Sequence, residues 1–229
     1  MIANKSLFTK GMGMLIGFFI VLFAMFMPLI DGHNFLNSMD SLYNSISKGS
    51  AYYIPKMKED ITEVKGKNVS MKLTMASEKA AKETALLISH SGAAASAEGE
   101  KISVSGDLEA ILANCLEDSD YMFHNEGEKV AAKYGYNEKQ VLYNWYLAAI
   151  QMDKELKHQK LFKEAKIVAA VQAKAVECAF NYYKIVPENI KDKVGIVFIS
   201  LLFYVIYTLW FGFSIMFLFE GWGMHLEHH

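Results

Sequence analysis

The chain has 229 residues, 52% of them hydrophobic, with 23 basic and 25 acidic side chains for a net charge of −2. That apolar share exceeds the roughly 45–50% usual for soluble chains. Every basic residue is lysine, so the rigid guanidinium fork that grips phosphate in two places is missing, and together with the slight acidity this excludes nucleic acid as an expected partner.

The first uncharged run, Gly11 to Ile30, has the roughly 20 residues needed to cross a hydrocarbon core. It follows Lys5 and Lys10, as a signal peptide would, but it is too long for a signal core and ends in MPLIDGH without a small-x-small cleavage site. An uncleaved membrane anchor over 11–30 is expected, after a cytoplasmic amino terminus at 1–10. Gly13, Gly17 and Ala24 lie on nearly one face, where small side chains let helix backbones approach closely in lipid. Lys5 and Lys10 before the span, against Asp31 and Asp40 after it, place the N-terminus in the cytoplasm, although Lys184, Lys191 and Lys193 on the other side oppose this.

Residues 31–193 are then expected to form an extracytoplasmic α+β domain. Phe35, Leu36, Met39, Leu42, Tyr43 and Ile46 recur at helical spacing until Gly49 and Pro55 intervene. The period then changes to two. Val69, Met71, Leu73 and Met75 alternate with polar residues as in a half-buried strand, and a short strand near Ile61 to Val64 is predicted before it. Ser77 fits the N-cap of a helix closed by Gly92, the stretch AAASAEGE reads as a small-residue linker, and KISVSG reads as one more strand. These pieces make a small strand-helix-strand unit.

Asp107 can cap the next helix, which carries Leu108, Ile111, Leu112, Cys115 and Leu116 on one face, and Gly135 interrupts the chain afterwards. Asn137 with Gln140 makes a capping box. No proline or glycine follows until Pro187, so one helix over 137–183 is predicted, roughly 70 Å long if straight. A stalk, straight or kinked, is favoured over a hairpin bent near Met152 to Lys166. Pro187 is read as the N1 residue of a helix that continues into the second uncharged run, Val194 to Phe219. Residues 194–219 are the expected second span, leaving 220–229 in the cytoplasm. The closing LEHH has the character of an appended tag and is set aside.

Within that second run Ser200, Tyr204, Tyr207, Phe211 and Ser214 follow steps of four and three, a face of hydroxyls and rings. Hydroxyls directed at lipid would lack partners, so this face is expected in a helix seam, on the wall of a shared pore, or, near its ends, at the membrane interface.

Chemistry-bearing motifs are sparse. Ser89-His90-Ser91-Gly92 lacks the first glycine of a nucleophile elbow, and HExxH, CxxCH and Walker patterns are missing. No enzyme and no cofactor are expected. Asp118, Asp120, His124 and Glu126 are weak candidates for a cation site, with a solvated helix end as the default. Cys115 and Cys178 match no metal spacing, which leaves a disulfide and two free thiols both open.

The expected protein is therefore a mainly α membrane protein with two transmembrane helices flanking an extracytoplasmic α+β domain, in the inner or plasma membrane of a bacterium. Its expected partners are the lipid bilayer and further copies of itself, because two helices cannot enclose a conduit. A homo-oligomeric channel or transport-associated assembly is the first expectation. The alternatives are a non-conducting scaffold, whose span-domain-span layout resembles that of polysaccharide chain-length regulators, and a ligand-binding sensor signalling through an unidentified membrane partner.

Overall fold

The computed structural model describes residues 2–30 and 32–224, so Asp31 and the closing LEHH lie outside the described residues. The chain divides into two compact units, Met1–Ile46 with Pro187–His229, and Ser47–Val186. The boundaries of the second unit are tighter than the expected 31–193.

In the first unit, helix α1 spans Lys5–Phe26, opened by Asn4, whose side chain accepts from the Leu7 N–H at 3.2 Å. It stops short of the end of the apolar run because Met27 precedes Pro28. Proline's ring disfavours the helical region for its predecessor, and Met27 sits at φ −75°, ψ 145°. Met27 to Ile30 therefore leave the helix, while its start reaches back into the lysine-bearing approach. Helix α2 (Phe35–Ser50) follows, with Phe35, Met39, Leu42 and Ile46 half-buried as their spacing predicts, while Leu36 and Tyr43 of the same predicted face are exposed.

The second unit opens with the last turn of α2 and continues into α3 (Ile54–Asp60), which has Pro55 in its first turn. The predicted strand at Ile61 to Val64 is instead a 3₁₀ helix. Ile61 and Val64 are both buried, and a spacing of three places them on one side of a 3₁₀ turn, where a strand would oppose them. Strand β1 (Asn68–Thr74) buries Val69, Met71 and Leu73 in strict alternation. Helix α4 (Glu78–Ser89) is capped by Ser77, whose hydroxyl accepts from Ala80 N–H at 3.2 Å.

The expected linker is a strand, β2 (Ala94–Glu98), turned by Gly99 into β3 (Lys101–Asp107). Its alanines and serine carry little strand propensity; antiparallel pairing of Ala94 to Glu98 with Ser105 to Lys101 holds it in place. Gly106 allows that closeness, since a Cβ there would sit 2.5 Å from the Ala93 Cβ. The order is β1-β3-β2 with β3 antiparallel to both neighbours. β1 and β2 are thus parallel, joined by α4, and β3 fills the space between them.

Asp107 caps α5 (Leu108–Phe123), and α6 (Gly127–Tyr134) ends at Gly135, whose φ of +79° is the left-handed conformation that glycine adopts freely. Asn137 opens α7 (Glu138–His158) by accepting from the Lys139 and Gln140 N–H groups.

The single long helix does not form. The chain turns at Gln159 to Leu161, with Lys160 at φ +63°, and α8 (Phe162–Val171) packs back on α7. A hairpin replaces the stalk because Ala165, Val168 and Val171 on α8 find the apolar core beside Met152 and Leu156 of α7, which solvent could not offer a stalk. A π turn, Gln172–Val176, joins α8 to α9 (Glu177–Tyr182). Both cysteines are free, Cys115 buried and Cys178 half-buried.

The chain re-enters the first unit with α10 (Ile190–Trp222), capped by Asn189 through Lys191 N–H. Pro187 precedes this cap and is not the N1 residue. α10 is longer at both ends than the expected span. Both α1 and α10 are long and apolar enough to cross a membrane.

Candidate functional site: the apolar helix pair

α1 and α10 pack antiparallel. At one end Asn4 N–H donates to Gly221 O at 2.9 Å, and farther along Phe18 stacks on Tyr207 with ring centroids 4.2 Å apart. Close approach depends on glycine. A Cβ at Gly11 would lie 2.8 Å from Leu218 N, and one at Gly221 would lie 2.5 Å from Phe8 N. Gly17 faces the Trp210 ring, which would stand 3.0 Å from an added Cβ. Gly13, expected on this face, has nothing within 4 Å of the corresponding position and is directed away from α10. Ala24 lines an apolar cavity of about 500 Å³ with Val21, Phe35, Ile196 and Phe203. Gly11 and Gly221 are the positions that sequence reasoning missed. Gly11 lies seven residues before Phe18, the same face two turns on, and that spacing is the signal that could have found it.

The hydroxyl face of α10 splits in two. Ser200 Oγ and Tyr43 OH are hydrogen-bonded at 2.6 Å, tying α2 to α10, and Ser200 also donates to Val197 O. Tyr207 OH donates to Phe18 O at 3.3 Å. Ser214 is fully buried and donates to Trp210 O at 2.7 Å, while Trp210 Nε1–H donates across the seam to Met14 O at 2.9 Å. The structure thus places Tyr207, Trp210 and Ser214 in the α1–α10 seam and Ser200 where α2 meets α10. Phe211, though 42% exposed, also reaches the seam, its ring centroid 4.9 Å from that of Phe18, whereas Tyr204, 64% exposed, is not brought in. Among the described residues the Tyr204 hydroxyl has no hydrogen-bond partner. Thr208, exposed one turn on, returns its hydroxyl to Tyr204 O, and Gly212, one turn farther, has open space around it.

Of the weak cation candidates, Asp120, His124 and Glu126 line one cavity of about 280 Å³ together with Lys58, and Asp118 stands apart from them. Asp118 and Asp120 stand two residues apart on α5, so they leave the helix on opposite sides. Asp118 is fully buried: Oδ1 accepts from Lys133 Nζ at 2.8 Å, and Oδ2 accepts from Tyr134 OH at 2.6 Å and Trp145 Nε1–H at 2.8 Å. Burial pushes its pKa up, and the three donors offset only part of that. Lys133 loses less hydration; burial works to lower its pKa, but Asp118 and Glu117 outweigh this and raise it. Asp120 instead meets Lys58 Nζ at 2.6 Å, Tyr52 OH at 2.8 Å and the ring of His124 at 3.2 Å. Glu126 pairs with Lys129 at 2.7 Å. The carboxylates are thus engaged by the chain's own cations, and no group of three metal-ligating side chains is assembled among the described residues. The Ser89 to Gly92 stretch is a helix end, where His90 Nδ1 lies 2.9 Å from Leu86 O and Ser91 donates to Ile88 O.

Lys48 is a further buried group that sequence did not reveal. It is 2% exposed, and its ammonium donates to Asn125 Oδ1 and to the Tyr182 and Ile185 carbonyls at 2.7–3.0 Å. Burial lowers its pKa.

Comparisons of the chain with protein families, with curated proteins and with solved structures return no match.

Proposed function

We propose that this protein is an integral membrane protein that crosses the bilayer twice, self-associates through the outer face of α10, and serves as a homo-oligomeric scaffold. In this arrangement both termini are cytoplasmic and the Ser47–Val186 unit is displayed on the other side, in keeping with Lys5 and Lys10 ahead of α1. The observation that carries self-association is Tyr204. It stands near the middle of the uncharged run Val194 to Phe219 and turns its hydroxyl outward without a partner among the described residues. A hydroxyl left so in hydrocarbon costs a few kcal/mol. Thr208 and Gly212 continue the same face with a hydroxyl and a bare backbone, the surface that lets a second helix come near.

A scaffold is favoured over a channel because Ser200, Tyr207, Thr208 and Ser214 already donate to this chain's own carbonyls, which leaves Tyr204 alone of these hydroxyls to face a shared conduit. Mass in mild detergent tests the assembly. Wild type is expected as a defined oligomer, Gly212→Leu as a monomer, and Gly13→Leu as the wild-type oligomer. A monomeric wild type overturns the proposal. Ion flux in vesicles separates the two assemblies: no flux from the defined oligomer supports the scaffold, and flux lost on Tyr204→Phe replaces it with the channel.

A further inference from the structure

A cleft in the Ser47–Val186 unit has a chemistry of its own. Tyr143 and Tyr146, one turn apart on α7, present nearly parallel rings, 15° between planes with centroids 6.5 Å apart. Val176 is fully buried, Phe180 on α9 adds a third ring, and Glu177 and Asn181 complete the lining of a cavity of about 230 Å³.

The π turn sets this lining. Its bond from Glu177 N–H to Gln172 O spans five residues and rotates everything after it relative to α8, so that Val176, Glu177 and Phe180 come to line one cavity with α7. Such turns recur at functional sites. Glu177 is exposed and, among the described residues, makes neither an ion pair nor a side-chain hydrogen bond. Phe180 already attracts a cation: Lys139 Nζ lies 5.7 Å from its centroid.

We propose that this cleft binds an alkylammonium cation, with the aromatic faces enclosing the substituted nitrogen and the Glu177 carboxylate neutralising it. Aromatic faces carry the negative end of the ring quadrupole and draw in a weakly hydrated cation. The same faces and the carboxylate repel an anion. A neutral apolar guest would cover Glu177 without giving it a partner, at a desolvation cost. The chemistry is shared by a free quaternary amine and by the choline headgroup of a lipid.

The full chain in a maltoside detergent is titrated with choline and with its neutral carbon isostere, 3,3-dimethylbutanol, and binding is followed by ligand-observed NMR and tyrosine fluorescence. Choline is expected to bind at least about tenfold more tightly than the isostere, and the exposed-site variants Glu177→Gln and Tyr143→Leu are each expected to weaken choline by about tenfold. Equal binding of the two compounds, no binding, or choline binding indifferent to both variants overturns the proposal. Reconstitution identifies the source. A lipid headgroup ligand leaves the site saturated in phosphatidylcholine vesicles and open to choline in phosphatidylglycerol vesicles, whereas a free solute titrates equally in both.

Discussion

Asp118 holds three donors from two later helices on one buried carboxylate, and the local sequence hides this. Its neighbours Glu117 and Asp120 are polar and the stretch looks solvated, but burial is decided by Lys133, Tyr134 and Trp145, which arrive from α6 and α7. Removing one partner of a buried pair strands the others. Asp118→Ala is therefore expected to destabilise the protein by about 3–5 kcal/mol, measurable by chemical denaturation. Asp120 titrates in the opposite sense. Burial would raise its pKa, yet the bonds from Lys58 and Tyr52 win and lower it below 3.8. The folded state then prefers the ionised form, so this contribution is present above the unfolded pKa and is lost as pH falls through the folded one. Asp120→Asn should flatten that acid-side loss, by no more than about 1 kcal/mol because Lys58 is half exposed. Tyr52, which burial and Asp120 push up to about 12, should ionise at lower pH in the same variant, as followed by phenolate absorbance.

Among the elements, those defined by a few adjacent residues are legible in advance. Ser77, Asp107 and Asn137 cap helices where an N-cap side chain can reach backbone N–H groups two or three residues on. Alternation along β1 is equally local. β2 is not legible in advance, because an alanine-rich strand owes its form to β3, and the α7–α8 hairpin is legible only as the less favoured alternative to a stalk: the polar stretch Met152 to Lys166 marks where a bend can fall, but the turn at Lys160 owes its form to the core. The seam of α1 and α10 lies between these cases: the small-residue character of α1 is visible, but which glycine meets backbone depends on helix rotation. Gly11→Leu is expected to separate the pair, read as a lost Met14–Trp210 proximity by cysteine cross-linking, whereas Gly13→Leu leaves that proximity unchanged.

At the scale of the whole molecule, the composition announces two apolar helices and a mixed α/β segment between them, and two such helices and such a segment are present. What the α10 face does is less legible, since five residues in one register divide between inward and outward duties according to where α1 comes to rest. Lys48, at the start of the Ser47–Val186 unit, grips Tyr182 and Ile185 at its end, and in the other unit Glu188 N–H donates to Ser45 O at 3.0 Å. Entry and exit therefore coincide, the arrangement of a cassette spliced into a helical hairpin, which tolerates excision because so little chain must be bridged. Residues 47–186 produced alone should unfold in one cooperative thermal transition, and Ile46 fused to Pro187 through a two-residue turn should yield a hairpin that still inserts into vesicles.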